Sequence, residues 1–197
     1  MKQRRRMTEL DTLKLELNAA RAPIWATRPD VPVQLAFSWE TVRVNGIAGV
    51  TNTDLSTHVR ANVPIVAERS MYWGQGTPLG EAGHDSIGVA QPHSVFYLPD
   101  GQSSAGRETF TLVQNPNPAA VSVAVSYLPA GGGATHTVLA TLAPNSRMTF
   151  AMKDTVPNGR ASIVVASRTA GRKIIVERSM YWNGRGAGTC SIGGYSD

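Results

Sequence analysis

The chain has 197 residues, 42% of them hydrophobic, with 19 glycines and 12 prolines. That is the profile of a turn-rich globular protein with enough apolar residues for a core, and it excludes disorder as the ground state. A single cysteine, Cys190, excludes an internal disulfide and a cysteine-based metal knot, and leaves the redox compartment open. Of the formal charge of +5, four positive charges come from Lys2, Arg4, Arg5 and Arg6. The remainder is close to neutral and carries no basic stripe interleaved with aromatics, so nucleic acid is not an expected partner.

Residues 1–6 read as a basic tail, without the apolar stretch that a signal peptide needs. No apolar run reaches the roughly 18 residues of a membrane span. Residues 8–21 fit a helix, with Thr8 as N-cap, Asp11 at N3 and Leu10, Leu13 and Leu17 on one side. The alternation of Leu13, Leu15 and Leu17 fits a strand equally. Residues 1–34 are therefore an unassigned N-terminal extension: either an unrelated segment replaces the front strands of a module, or the start is read out of frame. From Glu40 the pattern is plainer, with residues 41–44 as a strand, Asn45-Gly46 as a turn and residues 56–61 as a further strand.

A strand over 65–73, with Pro64 at its entrance, ends in Glu68-Arg69-Ser70-Met71-Tyr72-Trp73. The same six residues return 109 positions later as Glu177-Arg178-Ser179-Met180-Tyr181-Trp182. Apolar β-branched residues precede both copies, Val63 to Val66 and Ile174 to Val176. Downstream, Asp85-Ser86-Ile87-Gly88 is echoed by Cys190-Ser191-Ile192-Gly193 at an offset of 105. An internal repeat of this length, with a small indel, has the size of a β-sandwich domain and exceeds a solenoid unit. The expected organisation is a partial module (its rear half) at 35–74, a linker at 75–91, a complete module at 92–183 and a linker at 184–197.

The complete module offers seven strands, at 94–98, 108–114, 120–128, 135–142, 147–152, 161–167 and 173–182. Alternation is cleanest in the third, where Val121, Val123, Val125 and Tyr127 face one way and Ser122, Ala124 and Ser126 the other. The breaks have mechanisms: Asn115-Pro116-Asn117-Pro118 cannot continue a ladder, and Gly131-Gly132-Gly133 allows positive φ in a hairpin loop. No interval has the length and periodicity of a crossover helix, which argues against a parallel α/β sheet. The predicted fold is all-β, an antiparallel immunoglobulin-like β-sandwich, one complete module plus a partial one.

With Gln114-Asn115-Pro116, Leu142-Ala143-Pro144-Asn145-Ser146-Arg147, Gly83-His84-Asp85-Ser86-Ile87-Gly88 and the hexapeptide in hand, the sequence from Glu40 onward resembles a known group. It is similar to the tandem β-sandwich repeats of bacterial secreted and surface-attached proteins, a largely uncharacterised family. The resemblance implies an extracellular or cell-surface module in a stalk or array, with adjacent copies of itself as neighbours. Its expected role is non-catalytic, as a structural spacer or interaction domain. Two alternatives stand beside it: a carbohydrate-binding or adhesive module holding wall or environmental glycans, and an assembly unit that works by strand donation through sheet edges left open in the partial module.

Within 173–182, a period of two places Ile174, Val176, Arg178, Met180 and Trp182 on one face and Ile175, Glu177, Ser179 and Tyr181 on the other. The first face reads as core, with Arg178 paired or snorkelling at its edge and Trp182 closing the sandwich. The ligand-binding candidates are Tyr72, Trp73, Tyr181 and Trp182, as a platform on which sugar rings stack. His84-Asp85-Ser86 is not expected to form a hydrolytic relay, because contiguous residues of an extended chain point in alternate directions. His58, His84, His93 and His136 lack metal-ligand spacing, and no loop concentrates carboxylates as calcium requires. Gly184-Arg185-Gly186-Ala187-Gly188 reads as a flexible joint, since no helix follows it to cradle a phosphate. No catalytic residue, cofactor or metal site is predicted.

Overall fold

A computed structural model describes residues 13–19, 22–24, 41–50, 53–61, 64–74 and 81–197 of the chain. The basic tail 1–6, the cap at Thr8, Val63 and the stretch 75–80 of the expected linker lie outside the described residues. The chain divides into two compact units, Met1–Val66 and Ala67–Asp197.

In the first unit, β1 (Leu13–Ala19), β2 (Ala22–Ile24) and β3 (Leu55–Ala61) form an antiparallel sheet in the order β2-β1-β3. The alternating reading of Leu13, Leu15 and Leu17 therefore prevails over the helical one. A helix over 8–21 would be of marginal length to hold on propensity alone, and β3 supplies a full-length strand partner, from Leu13 opposite Ala61 to Ala19 opposite Leu55. The strand expected at 41–44 does not form. Val44–Gly46 is instead a turn of 3-10 helix, closed by Gly46 N–H donating to the Arg43 carbonyl at 3.2 Å and Ile47 N–H to the Val44 carbonyl at 2.9 Å. Asn-Gly favours tight turns, and here that preference overrides two alternating valines.

The second unit bears out the all-β sandwich. One sheet has the order β14-β6-β11-β8-β9 and the other β10-β7-β12-β13. Their strands are β6 (Val95–Gln102), β7 (Glu108–Asn115), β8 (Val121–Pro129), β9 (His136–Leu142), β10 (Ser146–Ala151), β11 (Arg160–Ser167), β12 (Ile175–Trp182), β13 (Ala187–Ser191) and β14 (Gly194–Ser196). Every ladder is antiparallel. Phe96, Leu98, Val121, Val123, Val125, Tyr127, Ile163 and Val165 of the first sheet meet Val113, Ile174 and Val176 from the other side, all of them fully buried. Each such large side chain contributes roughly 1.5–3 kcal/mol by leaving water.

Signature residues of the loops have local work to do. Asn115 is fully buried, and its Nδ2 donates to the carbonyls of Ala119 at 2.9 Å and Ala143 at 2.8 Å. Its Oδ1 accepts from Asn117 N–H at 2.9 Å, and Asn117 Nδ2 reaches the Lys173 carbonyl at 2.7 Å. One amide pair thus satisfies carbonyls of three connections where no ladder reaches them. In Pro144-Asn145-Ser146, Asn145 sits at φ 48°, the left-handed conformation that asparagine tolerates best among residues with a side chain.

The linkers expected at 75–91 and 184–197 also carry strands. The first contains β5 (Ala82–Ile87), which pairs with β4 (Glu68–Trp73) as a hairpin; the second contains β13 and β14. The ladder of the motif strand begins at Glu68 rather than at 65, and Val66 before it is 83% exposed. Glycine content disguised these strands, because glycine here serves close packing rather than flexibility. Gly193, at φ 62°, lies so near Tyr97 that an added Cβ would stand 2.1 Å from the Tyr97 carbonyl oxygen. That approach lets β14 fold back onto the edge of β6.

Candidate functional site

The two copies of the hexapeptide fold into the same hairpin. In β4–β5, Arg69 faces Ser86, Ser70 faces Asp85, Met71 faces His84, Tyr72 faces Gly83 and Trp73 faces Ala82. In β12–β13, Arg178 faces Ser191, Ser179 faces Cys190, Met180 faces Thr189, Tyr181 faces Gly188 and Trp182 faces Ala187. The registers are identical, and the offset changes from 109 to 105 because the second hairpin's loop is four residues shorter. Each glycine is required by the tyrosine opposite: an added Cβ would lie 2.9 Å from Tyr72 Cδ1 at Gly83, and 2.8 Å from Tyr181 Cδ1 at Gly188.

The first hairpin then lies on the second. Alternation turns Arg69, Met71 and Trp73 of β4, with Ala82, His84 and Ser86 of β5, away from solvent. They rest on Glu177, Tyr181, Gly188 and Cys190, on the outer side of β12–β13. Arg69 Nη2 pairs with Glu177 Oε1 at 2.6 Å, and the Trp73 indole N–H donates to the Arg185 carbonyl. Trp73 meets Tyr181 edge-on, with centroids 5.3 Å apart and planes at 83°. His84 Nε2 lies 3.3 Å from the Tyr181 hydroxyl, and Cys190 Sγ donates to the Asp85 carbonyl at 2.7 Å. The expected core face of β12 is core: Ile174, Val176, Arg178 and Met180 are all buried, and Arg178 Nη1 donates to the Asp100 carbonyl at 3.0 Å.

Burial sets the electrostatics of this layer. It pushes the His84 imidazole below its ordinary value, with the Arg69 guanidinium acting in the same direction, and it pushes the Tyr181 phenol and the Cys190 thiol upward. Cys190 is thus held as a thiol, the less nucleophilic form. His84 and Ser86 point to the same side of β5 and Asp85 to the other.

The four aromatic candidates do not form one platform. Trp73 and Tyr181 come together, but they pack edge-on inside the hairpin stack. Tyr72 is 56% exposed and alone on the outer side of β4, covering Gly83. Trp182 lines a cleft of about 410 Å³ at the end of the sandwich, together with Asp100, Gln102, Arg107, Arg160 and Met180. Arg160 Nη2 holds Asp100 Oδ1 at 3.1 Å, while the Arg107 side chain has no partner among the described residues. Sequence reasoning missed these polar residues, which come from the ends of β6 and β11 and the turn before β7. Only the pairing of Arg160 with Gln102 across two strands brings them together.

A second polar cluster fixes the last strand. Tyr195 stacks on His93 with centroids 3.8 Å apart and planes at 15°. Asp197 accepts from Lys173 Nζ at 2.8 Å and from Ser94 N–H at 3.2 Å, and Lys173 holds its carboxyl below the usual range. β14 is therefore clamped over the edge of β6, which would otherwise stand open. No helix among the described residues is long and apolar enough to cross a membrane.

No family model matches the chain, and no curated protein does. A crystal structure of Thermotoga maritima 1070 is similar over 51% of this chain and 90% of its own, at 13% identity and a TM-score of 0.43. That likeness carries no argument about activity.

Proposed function

We propose that the chain is a non-catalytic structural and interaction module of a bacterial surface or secreted protein built from copies of this unit. The observation that carries the reading is the pair of hairpins with one register, one of them docked on the other. A duplicated element that packs on its own copy supplies its own contact surface, as repeat proteins require. Immunoglobulin-like topology, extracellular placement and an array of neighbouring copies belong to the same proposal. Two measurements test it: a search of the surrounding gene for further Glu-Arg-x-Met-Tyr-Trp hairpins, and labelling of intact cells with a membrane-impermeant reagent. Further copies and surface labelling are expected. A solitary unit that labels only after lysis would refute it.

A second reading, as a carbohydrate-binding or adhesive module, is favoured by the cleft. An indole face at Trp182, an uncommitted guanidinium at Arg107 and hydrogen-bonding groups at Asp100 and Gln102 are the mixture with which clefts of this size hold small polar ligands. A glycan array would show binding that drops about tenfold or more in Trp182→Ala and in Arg107→Ala, and persists in Tyr72→Ala. An array with no signal would remove this reading and leave the first intact. The remaining alternative, assembly by strand donation, turns on one particular sheet edge.

A further inference from the structure

The two copies of the hairpin differ in their edges. β12 lies between β13 and β7, with both of its edges paired. β4 pairs with β5 alone among the described strands. The remaining backbone hydrogen bonds near it, from Gly88 N–H to the Ala67 carbonyl and from Glu81 N–H to the Trp73 carbonyl, only extend the ladder towards β5. The edge of β4 left without a partner among the described strands is therefore the edge that its twin gives to β7. An unpaired strand edge, six residues long, is a template for another strand.

We propose that the open edge of β4 is a strand-accepting site, and that its occupant is a strand of the β7 kind from another copy of the repeat. This rests on reading the chain as a repeat module and names the partner of that module. The register follows from the twin. β12 accepts β7 with Tyr181 opposite Glu108, Met180 opposite Thr109, Ser179 opposite Phe110, Arg178 opposite Thr111 and Glu177 opposite Leu112. By equivalence Tyr72, Met71, Ser70, Arg69 and Glu68 take those places. The chemistry of the occupant also follows. In β7, Thr109, Thr111 and Val113 are buried, while Phe110 stands on the other face with its ring 6.0 Å from Tyr181. The incoming strand thus needs small β-branched residues at alternate positions and an aromatic ring one position away, where exposed Tyr72 receives it as Tyr181 receives Phe110.

The test adds a peptide with the sequence of residues 107–115 to the full chain and follows amide hydrogen exchange residue by residue. Exchange at Ser70 and Tyr72, whose amides face away from β5, is expected to slow about tenfold or more at saturating peptide, without change in β9 or β10. The same peptide with proline in place of Phe110 and Thr111 is expected to have no effect, because it cannot donate to a ladder. Unchanged exchange in β4, protection that falls on β9 or β10 instead, or equal protection by the proline peptide would overturn the proposal. The free chain separates this failure from failure of the module reading. If Tyr72 and Gly83 pair in solution as Tyr181 and Gly188 do, the repeat stands even where the peptide does not bind.

Discussion

The hairpins β4–β5 and β12–β13 begin from the same six residues and finish in different surroundings, which separates what the local sequence dictates from what context dictates. The ladder and its register are the same in both. Burial is not: the Arg178 side chain is 9% exposed and that of Arg69 39%. Met180 is buried in the sandwich and Met71 half-buried, while Tyr181 lies under the first hairpin and Tyr72 lies open to solvent. Pairing is thus written into the strand itself, whereas a side chain's worth is set by the layer above it. The same holds between the sheets of the two units. β1 runs against β3, and β2 folds back on β1, in the arrangement that β8 and β9 adopt beside β11. β11 has β6 on its far side, and β3 has no further partner among the described strands.

The largest difference between the copies should appear at the methionines. Met180→Ala removes a buried side chain from a paired sheet and is expected to cost about 2–5 kcal/mol, whereas Met71→Ala should cost less than about half of that. Chemical denaturation of the two variants measures both. Equal losses would mean that the first hairpin is as deeply integrated as the second, contrary to their exposures.

The glycines come next. At Gly188 an added methyl group is caught between Tyr181 Cδ1 at 2.8 Å and Trp73 Cη2 at 3.1 Å, two rings fixed by each other. Gly188→Ala is expected to destabilise by about 1–3 kcal/mol through overpacking. At Gly83 the added Cβ meets the exposed Tyr72 ring at 2.9 Å, which can swing aside, and the Met71 carbonyl oxygen at 3.0 Å, which has to give by only a few tenths of an ångström, so Gly83→Ala should cost less than Gly188→Ala. Thermal unfolding of the two variants side by side decides it, and a larger loss at Gly83 would break the ordering.

Much of this was legible in the sequence, and what was not has a physical cause. The seven strands of the complete module were readable because valine alternation and Asn-Pro or Gly-Gly breaks state both the period and its ends. The repeat was readable because six residues recur. β5, β13 and β14 were hidden by Gly83, Gly188 and Gly193, which sequence reading takes for flexibility and which the fold uses for close approach to Tyr72, Tyr181 and Tyr97. The fate of the aromatic candidates was hidden for another reason. Period two assigns each ring to a face, but only the docking of one hairpin on the other decides that Trp73 and Tyr181 are enclosed while Tyr72 and Trp182 are left to solvent and to the cleft. The cleft's charged residues had no local signal, because they meet only where strand ends converge.

Where β5 carries His84, β13 carries Thr189, and this makes the docking of the first hairpin sensitive to pH. Burial and the neighbouring Arg69 hold the His84 imidazole below its ordinary 6.5, with Asp85 opposing them, and its Nδ1 is buried without a hydrogen-bond partner among the described residues. The folded chain therefore binds this proton less readily than the unfolded chain. The stabilisation is complete above about pH 6.5 and falls away as pH drops through the folded value. Intrinsic-rate-corrected hydrogen exchange should show protection of β5 weakening below that pH while β13 holds, and His84→Gln should flatten the trend. An unchanged slope in that variant would place the titration elsewhere.

The smallest expected effect lies at the two glutamates. Glu177 pairs with Arg69 at 2.6 Å with 20% of its side chain exposed, whereas Glu68, the same residue in the other copy, is exposed and among the described residues accepts a hydrogen bond only from Ser70 Oγ, at 3.4 Å. A partly exposed pair is worth about 0.2–1 kcal/mol and is screened by salt. Glu177→Gln should therefore loosen the first hairpin by that amount at low ionic strength and by almost nothing at about 1 M salt, while Glu68→Gln should do nothing at either. Occupation of the open β4 edge does not alter this expectation, because a strand added there changes the backbone partners of Glu68 and leaves its carboxylate on the outer face. A loss at Glu68 equal to that at Glu177 would mean that the outer side of the first hairpin is covered as the second is, and the two copies would then differ in sequence position alone.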